Sequence, residues 1–525
     1  MKPLPSSTPL KSIKDKDKNF PQNQQVEYNG LCLALQLPYE IWAKIGECHR
    51  RVVLTDATEG ERVNGRQICL YDYLTLTQVC TYIREILLSV PSLWTSIVST
   101  PTTSTELINE FLRRSQPHNV QISLYINPNS LHTPRLNRYM QEVSLRVHRL
   151  VFEITPCCVE EDAKETQVVQ VPGDVPALET IILRRSTGGY SADTLPYTLI
   201  GPSLPNVKRL YISNFSLDPL HFPTSDRLTV LRISNRDKGY PMILPREIMA
   251  ILSRLKNLET LYLENTMVPI EIHNDELSLV TLPRLSSLYL RNHGLGTSRV
   301  LQHLIIPCDT NIQLRSRFVL DPYWVERSML SISRVFRGRG FPNECPQAFG
   351  ALVLYPSPNG LDIVVEGHVD VPPIEELLSS HRDAKLLFEF TNLSKMVDTL
   401  FRTLSYLPVS GLKTLCLADV LLSGIPREAL EAAFNATPNL QTLTLVDWTS
   451  ITTTPMEATI YFGPHGRNSY KDAVANVNCN AEFRAHLLTI FEASQHSRLA
   501  FLRLEMRYFN RRHYRLSRWS TRWMA

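Results

Sequence analysis

The sequence predicts an α/β chain: a small helical module followed by a solenoid of short parallel strands. Three observations carry this reading. Two apolar stripes near the N-terminus have helical spacing, an apolar triple Φ-x-x-Φ-x-Φ keeps returning after residue 145, and Asn or Asp recurs two residues beyond it. At 525 residues the chain exceeds what one ordinary hydrophobic core covers, so several domains or a repeat array are expected. With 43% hydrophobic and 20% charged residues it has ample material for a core.

Residues 1–30 hold Pro, Ser, Asn and Gln with a KSIKDKDK run (Lys11–Lys18). This composition buries too little apolar surface to offset its ordering entropy, so it reads as a disordered tail. Asp interrupts the Lys run, which argues for a solvated segment over a nuclear-localisation signal. Residues 31–98 form the helical module. In LQLPYEIWAKIGEC, Leu37, Ile41 and Ile45 lie at i, i+4 and i+8, with Pro38 at the start of the helix. A hydrophilic stretch with Gly60 and Gly65 follows. Leu76, Val79, Cys80, Ile83 and Leu87 then make a second amphipathic helix, which Pro91 stops.

LPxEIWxxI, then QVCxxxRE, then PSLW, in order within about sixty residues, resembles the F-box-like domain of mushroom-type fungal proteins. The following FLRRSQPHNVQISLYIN (Phe111–Asn127) resembles the segment those proteins carry next. Where the family usually has Trp before the Arg, this chain has Ile83 before Arg84, and the connection 49–70 is longer than in compact members. The resemblance implies a Skp-type adaptor docked on Leu37, Pro38, Ile41, Ile45, Val79 and Ile83, and through it a cullin complex. It implies a substrate receptor of a ubiquitin ligase, with catalysis left to the partner subunits.

Residues 99–506 are expected to form the solenoid. Its triples are Val147/Leu150/Phe152, Leu178/Ile181/Leu183, Val207/Leu210/Ile212, Leu228/Leu231/Ile233, Leu258/Leu261/Leu263 and Leu285/Leu288/Leu290. Later come Leu412/Leu415/Leu417, Leu440/Leu443/Leu445 and Leu499/Leu502/Leu504. First positions up to Leu285 are 31, 29, 21, 30 and 27 residues apart, a spacing near that of a leucine-rich repeat. Helical connections are expected at 244–255, 391–405 and 426–436; the first and third share a Pro-Arg-Glu opening and run PREIMAIL and PREALEAAF. The interval 293–390 is the least regular, with 301–314 and 348–355 as diverged strands.

Asn214, Asn235, Asn265, Asn292, Asp419 and Asp447 stand at one register position, two after the last apolar residue. Alternate strand residues share a face, so these groups point inward and are expected to form a polar ladder tying successive turns. The alternative, that they only mark turns, predicts the composition without the register. On the open face stand Arg209, Tyr211, Arg232, Tyr262, Glu264, Tyr289 and Arg291. Tyr and Arg are enriched where proteins dock, yet Tyr also favours strands, so a target-binding face and a plain solvated face both fit.

Sequence motifs for chemistry are missing: no phosphate loop, H-E-x-x-H, G-x-S-x-G or kinase set occurs. Ten Cys include no C-x-x-C, and vicinal Cys157-Cys158 has no second pair, so neither metal nor cofactor is expected. No apolar run is long enough to cross a bilayer, and reduced thiols suit the cytoplasm or nucleus. The tail 507–525 carries six Arg among aromatics, leaving −2 on the rest of the chain. Such a body lacks the broad basic surface that binds nucleic acid. The expected protein is a non-enzymatic adaptor for an unidentified target protein; the rival is a repeat scaffold without ligase association.

Overall fold

The computed structural model describes residues 36–59, 72–100, 103–126, 144–154, 175–185, 206–215, 217, 219–220, 222–223, 225–235, 243–267, 277–317, 322–337, 348–356, 362–370, 384–391, 399–418, 427–446, 456–461, 485 and 503–508. It divides into two compact units, Met1–Ser123 and Leu124–Ala525.

In the first unit, α1 (Tyr39–Glu59) starts where Pro38 supplies its carbonyl to Ile41 and Trp42, and ends just before Gly60. The second apolar stripe is not one helix. A 3₁₀ turn (Asp72–Gln78) gives way to α2 (Thr81–Ser89), which Cys80 caps in an extended conformation, its sulfur accepting from the Ile83 amide. Arg84 clamps the break by donating to the Thr77 carbonyl at 2.8 Å. The PSLW turn (Pro91–Trp94) leads into β1 (Ser96–Ser99), α3 (Thr105–Arg114), capped by Ser104, and β2 (Val120–Ile126). Ile83, Ile86, Leu87, Leu93, Trp94 and Phe111 are buried. Trp94 meets Phe111 edge-on and carries the Arg114 guanidinium 4.8 Å from its ring centroid.

The second unit is α/β with a long, mostly parallel sheet, consistent with a leucine-rich-repeat-like solenoid. Its first block comprises β3 (Val147–Ile154), β4 (Thr180–Arg185), β5 (Arg209–Ser213), β6 (Val230–Ser234) and β7 (Thr260–Glu264). A small β8 (Val280–Thr281) precedes β9 (Ser287–His293) and pairs in parallel with β10 (Leu304–Ile305); β11 (Asn311–Arg317) follows. Each main strand pairs in parallel with the next, from β3 to β7, then β9, then β11. The register aligns Leu150, Ile181, Leu210, Leu231, Leu261, Leu288 and Ile312 into one apolar row. Every member is at most 1% exposed, and each buried side chain contributes about 1.5–3 kcal/mol.

Parallel neighbours need a crossover, and helices supply several. They are α4 (Pro245–Leu252) before β7, α5 (Gly294–His303) after β9 and α6 (Pro322–Phe336) after β11. Leu244 precedes α4, with its amide held by the Glu247 carboxylate at 2.9 Å and Pro245 in the first turn. The sequence expectation of a diverged strand over 301–314 is corrected in part, since 301–303 close α5 and only 304–305 and 311–314 are extended. Diverged 348–355 does contain a strand, β12 (Ala351–Pro356).

From there the solenoid order is broken. β12 turns back as β13 (Asp362–His368) and again as β14 (Leu386–Thr391), which sits beside β11. The sheet order is therefore β11-β14-β13-β12, with two antiparallel pairings. Residues 399–403 are helical and pass into a 3₁₀ turn (Leu404–Tyr406). β15 (Thr414–Ala418), α7 (Arg427–Ala436) and β16 (Thr442–Val446) then resume parallel pairing from β12. The last triple is a second correction: β17 (Met456–Tyr461) and β18 (Arg503–Tyr508), which holds Leu504, close the sheet antiparallel.

One backbone device marks both parallel blocks as the same repeat. A single carbonyl receives the amides of the two residues that open the next strand. Glu179 takes those of Lys208 and Arg209, Lys208 those of Thr229 and Val230, and Thr229 those of Glu259 and Thr260. Beyond the antiparallel insertion, Gly350 takes Lys413 and Thr414, and Lys413 takes Gln441 and Thr442.

Candidate functional site

Two surfaces hold the residues singled out by sequence. The first belongs to the helical module. Which face of α1 turns inward is decided by Gly46: a Cβ there would lie 2.7 Å from Leu87 Cδ2, so the helix approaches α2 with no side chain between. On the same side Arg50 donates to the Thr95 and Ser96 hydroxyls at 3.0 Å, and Glu47 accepts from Ser92 at 2.7 Å. Helical spacing then turns Ile41 and Ile45 to the opposite side, where they are 46% and 36% exposed. Val79, at the break before α2, is 63% exposed. Pro38 is exposed and Leu37 half-buried. Ile83 is placed elsewhere: at 2% exposure it packs the module's own core. Sequence reading missed Tyr39 and Tyr82, exposed on these same elements, whose hydroxyls reach Ser89 Oγ and the Leu37 carbonyl.

The second surface is the sheet face opposite the apolar rows. Its middle row runs Val151, Ile182, Tyr211, Arg232, Tyr262, Tyr289 and Gln313 in continuous register. Tyr211, Arg232, Tyr262 and Gln313 are half-buried. Continuing the row, Leu387, Glu366, Val353, Cys416 and Thr444 are buried, so the accessible part of this face ends at the antiparallel insertion.

Within the accessible part, five of the candidate residues are occupied with one another. Tyr262 and Tyr289 stack with centroids 4.1 Å apart and planes at 2°. The Tyr262 hydroxyl donates to Glu264 at 2.7 Å, and Arg291 pairs with the other oxygen of that carboxylate at 2.7 Å. Burial, with Tyr289 and Glu264 beside it, pushes the Tyr262 phenol above its ordinary range, so it stays a donor. Arg232 lies over the Tyr262 ring at 4.1 Å, a contact of about 0.5–2 kcal/mol. Arg209 is exposed and Tyr211 half-buried.

The ladder residues behave unequally. Asn214 Nδ2 donates to the Arg185 carbonyl at 2.8 Å, and Asn265 Nδ2 to the Asn235 carbonyl at 2.9 Å. Both residues have positive φ (64° and 51°), the left-handed conformation that Asn tolerates best after Gly. They therefore turn the chain and tie successive repeats at once, so the two sequence readings merge. Asn292 does most: its Oδ1 accepts from the Thr266 and Met267 amides at 2.6 and 3.1 Å, and Nδ2 donates to the Leu263 carbonyl at 3.0 Å. Asn235 is buried at 1%, yet neither atom of its amide has a partner among the described residues. Asp419 and Asp447 lie outside the described residues, as do Cys157, Cys158 and the tail beyond residue 508.

Among the described residues no group of His, Cys, Asp and Glu is arranged to hold a metal, and no helix is long and apolar enough to cross a membrane. No family model matches the chain, and no curated protein matches it. Among solved structures it is similar to the leucine-rich repeat-containing protein LegL7 from Legionella pneumophila. The match has 15% identity and a TM-score of 0.26, covering 75% of this chain and 96% of that one.

Proposed function

We propose that this chain is a non-catalytic protein-interaction scaffold built on repeats, working as the substrate receptor of a cullin-type ubiquitin ligase. In this reading the helical module docks a Skp-type adaptor and the sheet face captures a target protein, in the cytoplasm or nucleus where those partners reside. The observation that carries it is the division of labour in the module. Ile83, Ile86, Leu87, Leu93 and Trp94 hold it together, while Ile41, Ile45 and Val79 stay exposed without a structural task. Apolar side chains left outside in this way favour association, because burying each contributes about 1.5–3 kcal/mol. The Ile in place of the family's Trp does not weaken the case, since Ile83 lies in the core and not on the docking face.

The alternative, a repeat scaffold whose helical module merely caps the array, needs no exposed stripe. Co-purification separates the two. The folded parent chain is expected to recover a Skp-type adaptor at micromolar concentration. Ile41→Asp with Ile45→Asp should reduce recovery about a hundredfold with an unchanged circular dichroism spectrum, at roughly 1.4 kcal/mol per tenfold. A folded parent that recovers no adaptor leaves only the scaffold reading.

A further inference from the structure

The strands β4, β5 and β6 contain no acid, but the face they share with β3 gathers Arg149, Arg209 and Arg232 around Tyr211. Arg149 and Arg209 both pair with Thr180 in the register, which puts their backbones two strands, about 10 Å, apart. Tyr211 pairs with Arg232. None of the three guanidinium groups has a carboxylate partner among the described residues. Arg232 meets only the Tyr262 ring, and Arg149 Nε is buried with no hydrogen bond. Burial lowers the Arg149 pKa and the neighbouring Arg209 adds to this, against the opposing influence of Tyr211. The acids near these strands are committed: Glu153, on the same face of β3, to the Tyr125 hydroxyl, Glu179 to Lys208 at 2.6 Å, and Glu264 to Arg291 and Tyr262.

We infer that this patch is the docking site for an acidic peptide segment of the target, lying extended across β3–β6. The inference rests on the reading of the sheet face as the target-binding side. Unpartnered cations close together repel one another, and carboxylates brought opposite them by a partner relieve that repulsion while supplying charge-assisted hydrogen bonds. Three strand steps span about 15 Å, the length of four or five extended residues. A nucleic acid fits less well, because a polyanion needs a longer basic track than one bounded by Glu179 and Glu264.

The test is fluorescence anisotropy on the full chain with a labelled octapeptide of glutamates interrupted by one leucine. Binding at or below about 100 µM is expected, weakening on going from 50 to 300 mM salt. Arg209→Gln and Arg232→Gln should each weaken it about fivefold or more, with unchanged circular dichroism; Arg209 is exposed, so its substitution leaves packing intact. A lysine octapeptide should not bind. Ile41→Asp with Ile45→Asp should leave peptide affinity at the parent value, so this test reads the sheet face separately from adaptor docking. No binding, equal binding by the arginine variants, or tighter binding of an eight-nucleotide RNA than of the peptide would each overturn the inference.

Discussion

Asn292 and Asn235 stand at one register position, yet only Asn292 has backbone donors to serve. Asn292→Leu strands the Thr266 and Met267 amides inside the protein, at a cost of about 1–3 kcal/mol. Asn235→Leu removes two polar atoms that have no partner among the described residues and should leave stability within about 0.5 kcal/mol, or raise it. Urea melts of the two variants check the contrast, and faster amide exchange at Thr266 and Met267 should accompany only the first. Asn265→Leu should again cost about 1–3 kcal/mol, because it loses its bond to Asn235 and forces Leu into positive φ. Thermal stability equal to the parent would refute that. The register of these residues was legible because strand alternation fixes it; their unequal partnering was not, since it depends on where each following turn passes.

At the scale of elements, the parallel strands from β3 to β7 and β9 could be read from leucine spacing alone, whereas β11 and the β12–β14 insertion could not. Its strands run as Leu352-Val353-Leu354 and Ile363-Val364-Val365, buried on both faces, so the alternation that marks a strand is erased. Gly367 records how tightly the insertion packs. A Cβ there would lie 2.7 Å from the Phe349 ring, itself buried and edge-on to Phe336 at 4.8 Å. Gly367→Ala should therefore destabilise the second unit by about 1–3 kcal/mol, through strain in a core with no room to yield. A melt that leaves the midpoint unmoved would mean the ring swings aside without cost. Helix α1 carries the complementary lesson. Its apolar stripe showed the helix, but the residue that fixes its inner face is Gly46, invisible to a hydrophobic pattern.

For the whole molecule, the distribution of unsatisfied surface matters more than the total charge of +4. The helical module leaves isoleucines outside, and Arg149, Arg209 and Arg232 have no carboxylate partner among the described residues. Within the insertion, Tyr355 and Glu366 hydrogen-bond to each other in the interior, and burial with that carboxylate raises the Tyr355 phenol. The sheet face there is closed. The proposed receptor would use these two regions of the chain for its two partners. The sharpest test is hydrogen exchange on the intact protein with and without a Skp-type adaptor. The account predicts new protection at residues 39–48 and 79–82, with 209–213 and 230–234 unchanged. A complex that protects the sheet strands instead, or no protection anywhere at saturating adaptor, would contradict it.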